Sequence, residues 1–388
     1  MSEGSIMDDL HFFRGRRVFI TGHTGFKGSW LTLWLLRHGA IVSGFSLNVP
    51  TSPSLFETLG IAGEIQHFIG DVRDSDNLTR ILESEQPDIV FHLAAQPLVR
   101  RGYEHPKETF DVNVGGTVNL LEAVRQTESV RLVICVTSDK CYDPRGWEWG
   151  HRESDPLGAG DPYGASKAAA EMVAAAYRES FFSPADDLAS GVGLATVRAG
   201  NVIGGGDWAE DRLVPDCIRA LVADEPIAIR HPDSIRPWQH VLEPLAGYLT
   251  LAKRLWEEPR KFSGAWNFGP GAASACSVAE MVQHITRLWG YGQWKRAGGN
   301  SPTNFRETNS LRLCSDKAMS LLSWRPRWSL TGALKRTIEW YRAFYWHGSG
   351  PELRALSERQ MRQYETAARF SAPSKSGSNM ASVDSSLR

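Results

Sequence analysis

Cysteine is scarce in this 388-residue sequence, and the five that occur, Cys135, Cys141, Cys217, Cys276 and Cys314, are scattered and odd in number. That usage excludes a disulfide framework and offers no zinc-ligand spacing, so the thiols read as reduced residues of a cytoplasmic protein. Missing as well is any uninterrupted apolar run of membrane-spanning length. The opening stretch MSEGSIMDDLHFFRGRR sets acids ahead of its hydrophobic patch, unlike a secretory leader. Charge of one sign is lacking too: 43 Lys and Arg against 44 Asp and Glu leave a formal net charge of -1 and no basic field for nucleic acid. No group of histidines or acids proposes a metal, and no short internal repeat is evident. The length suits one nucleotide-binding domain plus a smaller partner, or one domain with large insertions.

The chain is organised around VFITGHTGFKGSWLTLWLLR. Residues 18–20 read as a buried strand and residues 29–36 as the helix packed back on it. Between them stand Gly22, Gly25 and Gly28, spaced three apart. Gly22 permits a tight exit from the strand, Gly25 lets backbone approach a pyrophosphate, and Gly28 lets helix and strand pack without an intervening Cβ. Free amides at the helix N-terminus then point at two phosphates. A second strand is predicted over residues 40–47, where a dinucleotide site usually ends in an acid for the adenosine ribose. Here Phe45, Ser46 and Leu47 offer neither acid nor arginine, so this strand end does not choose between the two nicotinamide dinucleotides.

Residues 65–69 form the next predicted strand, followed by GDVRD. Asp71 can bond an adenine amino group while Val72 covers the ring; equally, Asp71 or Asp74 can cap the following helix. Strand 88–93 ends at Leu93 and is followed by Ala94, Ala95 and Gln96; small side chains at a strand's carboxyl end let a ligand lie against backbone. Residues 110–124 have helical periodicity interrupted by Asn113, Gly115 and Gly116; Asn113 either bonds backbone near the site or is locally satisfied. The strand at 132–137 runs into Ser138, Asp139 and Lys140, which gathers polar groups at a strand's carboxyl end. Further on, Tyr163 and Lys167 share a helix face at a spacing of four. A lysine charge there favours the tyrosinate, Ser138 donates to a substrate hydroxyl, and the phenolate accepts the hydroxyl proton as hydride leaves the adjacent carbon.

Later segments read as a loop at 183–193, a strand at 194–198, a flexible polar segment at 201–207, a helix at 213–223, a strand and turn at 265–270, and helices at 277–290 and 331–345. Trp238 and His240 read as core residues, and residues 371–388 as a mobile tail.

TGHTGFKG at 21–28, GDVRD at 70–74, HLAAQ at 92–96 and YGASK at 163–167 resemble the extended short-chain dehydrogenase/reductase family over residues 14–342. Narrower segments point within it to the branch that dehydrates CDP-sugars: PTSPSLFE at 50–57, TSDKCY at 137–142, RAGNVIGGGDWAEDRLVPD at 198–216 and IRPWQHVLEPLAGYL at 235–249. The resemblance implies an α/β fold, a Rossmann-like parallel sheet flanked by helices with a smaller discontinuous mixed α/β substrate-binding domain. On this plan residues 14–201 are mainly NAD-binding, 202–241 substrate-binding, 242–265 a return to the Rossmann domain and 266–345 mainly substrate-binding.

It also implies a redox-neutral dehydration of CDP-D-glucose with bound NAD: oxidation at C4, loss of water across C5 and C6, and hydride return to C6. Cofactor contacts fall, by resemblance, at Gly22, Thr24, Gly25, Phe26, Lys27, Gly28, Ser46, Asp71, Val72, Leu93, Ala94, Ala95, Tyr163 and Lys167. Gln96, Ser138, Asn201, Arg212, Arg236 and Glu307 are the implied substrate contacts. Related dTDP-sugar dehydratases carry threonine, aspartate and glutamate where this chain has Ser138, Asp139 and Lys140. Asp139 thus carries over as the acid for the C6 hydroxyl, and Lys140 stands where the base is expected. A homodimer built through helices near Asn113 and Tyr163, with a tetramer as alternative, completes the expectation. A 4-epimerase and a catalytically silent nucleotide-sugar binder are the competing functions.

Overall fold

The computed structural model describes residues 6–182, 191–271, 274–297, 311–346 and 348–367. Its strands are β1 (Arg17–Thr21), β2 (Ile41–Ser46), β3 (Gln66–Ile69), β4 (Ile89–His92), β5 (Leu132–Val136), β6 (Gly193–Ala199), β7 (Asn201–Ile203), β8 (Ile227–Ile229), β9 (Ile235–His240), β10 (Gly264–Phe268), β11 (Ala275–Ser277) and β12 (Trp294–Arg296). Seven of them form one parallel sheet in the order β10-β6-β5-β4-β1-β2-β3. The order reverses between β1 and β4, which opens a crevice at their carboxyl ends.

Alternation along the strands feeds two cores. Val18 and Ile20 of β1, Phe91 of β4 and Ile134 of β5 face one; Phe19, Val90 and Val133 face the other. Helices Phe26–Arg37 and Leu242–Glu257 cover the first face, while Ser75–Glu85 and Gly116–Gln126 cover the second. Burial of both faces is why these strands are apolar almost throughout.

The glycine turn after β1 is shaped by two close approaches. Gly22 has φ +77°, and a Cβ on it would lie 2.6 Å from the Ala94 nitrogen. A Cβ on Gly28 would lie 2.2 Å from the Gly22 carbonyl oxygen, so the helix rests directly on the turn. Gly25, the N-cap of Phe26–Arg37, would meet only that oxygen, at 3.4 Å, and its ligand side is open.

The smaller region begins where the chain leaves β6. A three-stranded sheet in the order β11-β9-β7 and a two-stranded pair β12-β8 build it, with helices Leu213–Val222 and Val278–Trp289 alongside. Segment 201–207 departs from expectation: it opens with β7, and residues 203–207 are buried. Its three glycines serve packing, since a Cβ on Gly205 would meet the Trp340 ring at 2.0 Å and one on Gly206 would meet Leu55. Helix Leu242–Glu257 then returns beneath β5 and β6, and β10 adds to the main sheet beside β6. Trp238 and His240 are both core residues, as read from the sequence.

Helix Gly350–Thr366 has no counterpart in the sequence reading. It docks through polar anchors: the Glu243 carboxylate accepts from the Tyr364 hydroxyl at 2.8 Å and from the Trp328 amide at 2.8 Å, and Glu365 accepts from Trp34 Nε1 at 2.8 Å. Loop residues 183–190, Glu307 and residues 371–388 lie outside the described residues. Among the described residues no helix is long and apolar enough to cross a membrane.

The contact between turn and helix sets a first test. Gly28→Ala forces a methyl into the Gly22 carbonyl and should destabilise the fold by about 1–3 kcal/mol or more, whereas Gly63→Ala, with nothing within 4 Å, should stay within about 0.5 kcal/mol. Urea unfolding midpoints compare the two; equal midpoints would contradict the close packing.

Candidate active site

Three segments converge at the carboxyl edge of the sheet. The turn after β1 supplies Lys27, the turn Asp139–Cys141 after β5 supplies the acid and the lysine, and helix Pro162–Tyr177 supplies Tyr163 and Lys167. That helix starts where it does because Pro162 occupies its first position and the Asp161 carboxylate accepts from the Gly164 amide at 2.9 Å. At the Asp139 turn the Ser138 hydroxyl plays the same part, accepting from the Lys140 amide at 3.2 Å. Ser138 Oγ also donates to Asp139 Oδ1 at 3.0 Å.

Burial dominates the electrostatics here. It pushes the Tyr163 phenol up to about 12, opposed by a hydrogen bond with Ser138 and by the Arg212 charge. It pushes Lys167 down to about 8, and the Lys167 ammonium donates to the Val136 carbonyl at 3.3 Å. The influences that lower Tyr163 here come from Ser138 and Arg212. Asp139 is raised by burial, with Lys140, Ser138 and Lys27 each pulling it back. Lys27 falls to about 8 through burial and then through Arg212. Arg212 pairs with Asp207 at 2.8 Å, and that carboxylate is the main cause raising its guanidinium.

On the cofactor side the remaining predicted residues divide. Ser46 ends β2 with its hydroxyl on His23 Nδ1 at 2.9 Å, and His23 Nε2 meets His67 Nδ1 at 2.7 Å. Burial and His67 depress His23 to about 3, so this pair is neutral at ordinary pH. Neither histidine was singled out from the sequence, although His23 stands inside the glycine motif. Asp71 holds Arg73 through Nε at 2.9 Å, while Asp74 caps Ser75–Glu85 through the Asn77 amide; the helix-capping role therefore falls to Asp74. Val72 packs into the second core against Gly116. Leu93 and Ala94 follow β4 and are tied to β1 by bonds from their amides to the Thr21 carbonyl, 2.9 Å, and hydroxyl, 3.3 Å; Ala95 is half-buried beside them.

The substrate candidates divide as well. Gln96 is buried, its side chain donating to the Leu98 carbonyl and to Thr109 Oγ1 while accepting from the Leu98 amide. Those bonds orient its side chain toward Leu98 and Thr109. Asn113 accepts from the Gln96 amide at 2.8 Å and donates to Ser166 Oγ at 2.8 Å, so the first of its two readings is the observed one. It sits in a π-helical turn, Asp111–Gly115, a local widening that the flanking glycines accommodate. Asn201 begins β7 and Arg236 lies on β9, both half-buried and on the same small sheet. Glu307 lies outside the described residues.

Below the catalytic groups lies a buried ion pair that the sequence reading missed. Glu171 accepts from Arg198 Nε and Nη2, both at 2.8 Å, from Thr196 Oγ1 at 2.6 Å and from Thr137 Oγ1. Arg198 also donates to Tyr142 Oη at 2.6 Å, and Tyr142 donates to Asn267 Oδ1 at 2.8 Å. Spacing gave one signal: Glu171 is four residues past Lys167, on the same helix face as Tyr163.

A family model described as GDP-mannose 4,6 dehydratase matches residues 19–259. The CDP-glucose 4,6-dehydratase of Salmonella typhimurium is 51% identical over 362 residues, which span 93% of this chain and 99% of that protein. Epimerase Mth375 from Methanothermobacter thermautotrophicus has the same fold, with a TM-score of 0.73 at 23% identity over 90% of this chain and 97% of its own. MoeE5 in complex with UDP-glucose and NAD gives a TM-score of 0.70 at 27% identity, over 85% of this chain and 99% of its own.

Breaking one side of the buried pair has a defined cost. Arg198→Met leaves the Glu171 carboxylate without its cation at a nearly fully buried position and should destabilise by about 3–5 kcal/mol. Chemical denaturation measures this; a loss under about 1 kcal/mol would mean that the pair is solvated in solution.

Proposed function

Because the chain belongs to the NAD-dependent epimerase/dehydratase family, we propose that it converts CDP-D-glucose to CDP-4-dehydro-6-deoxy-D-glucose and water. The observation that carries this reading is that Asp139 and Lys140 share one short turn packed against the helix that bears Tyr163 and Lys167, with Ser138 bonded to Tyr163 and the Asp139 charge felt there. A 4-epimerisation needs proton traffic only at the C4 hydroxyl. Dehydration also needs an acid at the C6 hydroxyl and a base at C5, and the second pair answers that demand.

The residues fit a bound NAD: the Gly22 and Gly28 turn leaves open room over Gly25, and free helix amides face that room. When bound, NAD supplies the hydride acceptor at C4 and the hydride donor at C6. Tyr163 takes the C4 hydroxyl proton, with Ser138 orienting the phenol and Lys167 lying one helical turn away. Oxidation at C4 acidifies the C5 proton, which Lys140 accepts. Asp139, whose carboxyl burial pushes up, delivers its proton to the C6 oxygen as water leaves. Arg212, with Asn201, Arg236 and Glu307, holds the diphosphate, ribose and sugar. The forked guanidinium suits a diphosphate, and Asp207 fixes its direction.

The chain acts as a homodimer, with a tetramer as the alternative, through helices near Asn113 and Tyr163. Exposed Phe110, Met172 and Phe181 on that side support this assembly. Five unpaired thiols support a cytoplasmic setting.

Product mass tests the function: CDP-D-glucose should lose one water, where epimerisation leaves mass unchanged. Exclusive turnover of UDP- or dTDP-glucose would overturn the assignment of base. Tyr163→Phe keeps the ring and removes the proton acceptor, so formation of reduced nicotinamide on substrate addition should slow by about 10²–10⁴-fold in rapid-mixing absorbance. Lys140→Met should still oxidise C4 and accumulate the 4-keto sugar, while exchange of C5 hydrogen with deuterated solvent falls by about 10²–10⁴-fold. Wild-type exchange in that variant would remove Lys140 as the base.

A further inference from the structure

The Glu171–Arg198 pair is buried beside the site; its hydrogen bonds go to Thr137, Thr196, Tyr142 and the Glu153 carbonyl, and the Glu171 charge is felt at Lys167, one helical turn away. Its partners are what make it informative. Thr137, which donates to Glu171, immediately precedes the Ser138–Lys140 turn, and Tyr142, which accepts from Arg198, closes it. Glu171 itself rides on helix Pro162–Tyr177, one turn beyond Lys167 and two beyond Tyr163. One ion pair is therefore bonded to both shoulders of the acid-bearing turn and is carried by the helix that bears the tyrosine.

The two catalytic elements differ in how else they are held. Tyr163 and Lys167 belong to a helix capped by Asp161, and Ser166 of that helix accepts from Asn113. The Asp139–Cys141 turn is one short turn of backbone, closed by bonds from the Cys141 amide to the Ser138 carbonyl and from the Tyr142 amide to the Asp139 carbonyl, both at 3.3 Å. The turn also reaches the helix through a hydrogen bond between Ser138 and Tyr163 and through Cys141 and Tyr142 packed on Ala168, and the Gly158 amide donates to the Cys141 carbonyl at 2.9 Å. Its two shoulders are tied through Thr137 to Glu171 and through Tyr142 to Arg198 and Asn267. Removing the pair frees both shoulders at once, while the helix keeps its Asp161 cap and its bond to Asn113.

We propose that Glu171 and Arg198 are positioning residues that set the register of the Asp139–Lys140 turn against the Tyr163 helix, and so govern elimination across C5 and C6 more than oxidation at C4. The inference rests on the dehydratase reading above. The bidentate geometry serves this end because two parallel bonds at 2.8 Å fix orientation as well as distance. Thr196 at 2.6 Å leaves the carboxylate little freedom to turn away. A displacement of about 1 Å in catalytic groups can cost about a hundredfold in rate, so loosening one short turn is enough to separate the two steps.

Single-turnover quench with CDP-D-glucose in deuterated solvent, on protein loaded with NAD, reads both steps. In Glu171→Gln the rate of C4 oxidation should stay within about threefold of wild type, while C5 exchange and 6-deoxy product formation fall by about tenfold or more. Should Glu171→Gln not fold, Tyr142→Phe decides instead. It keeps the ring under the Arg198 guanidinium and removes only the hydroxyl anchor, and it should slow elimination by about three- to tenfold with oxidation unchanged. A proportional fall in both steps, or no fall in either, in a variant with wild-type thermal midpoint and NAD occupancy, overturns the inference. Wild type run alongside separates the two claims: if it forms no 4-keto-6-deoxy product, the dehydratase reading fails, and if it does so without a split in the variants, only the positioning role fails.

Discussion

A parallel sheet covered on both faces leaves polar chemistry only one outlet, the carboxyl ends of its strands. The two cores take the side chains of β1, β4 and β5 in alternation, and the backbone groups are paired strand to strand. Polar residues inside the strands are closed on partners, Thr21 of β1 on His92 of β4 and Thr196 and Arg198 of β6 on Glu171. Other polar residues gather at the strand ends: the glycine turn after β1, Ser46 at the end of β2, Ser138 to Lys140 after β5. The crossing between β1 and β4 splits the sheet at this edge, so the cofactor turn and the acid-bearing turn open onto the same crevice.

Within that crevice burial and charge oppose each other in a useful way. Desolvation raises Asp139 and Tyr163 and lowers Lys27 and Lys167, so each group is driven toward its neutral form. A neutral carboxylic acid has a proton to give, and a lysine near 8 is close to releasing one. The surrounding cations limit the drift: Lys140 and Lys27 pull Asp139 back, and Arg212 pulls Tyr163 back. Lys27 and Lys167, at about 8, stand nearest the neutral range, while Tyr163, at about 12, is held above it by burial.

Much of this was legible in the sequence for reasons of period and punctuation. Strand β1 and helix Phe26–Arg37 announce themselves through an apolar run, three glycines and a second apolar run. Tyr163 and Lys167 are readable because a spacing of four places them on one helix face. What escaped reading shares a physical cause, namely contact between residues far apart in the chain. Residues 201–207 read as a flexible polar segment in one dimension, whereas Gly205 and Gly206 are a seat for Trp340 and Leu55 in three. The closure of the Gln96 side chain on Leu98 and Thr109 is equally invisible to spacing. Helix Gly350–Thr366 is held by Glu243 and Trp34, partners that its own periodicity does not advertise.

The lysine at position 140 gains its meaning from the aspartate beside it. The dTDP-sugar dehydratases that the sequence resembles carry aspartate and glutamate side by side at these positions, and a like charge so close raises the pKa of its neighbour. In this chain the neighbour of Asp139 is a cation, and its charge is the first of the influences that oppose the effect of burial on the Asp139 carboxyl. Asp139 is buried and Lys140 half-buried, so the two stand at different depths in one short turn. Both shoulders of that turn are tied to a pair whose charges already cancel, through Thr137 to Glu171 and through Tyr142 to Arg198. The change from glutamate to lysine therefore acts first on Asp139, whose carboxyl it draws toward the charged form.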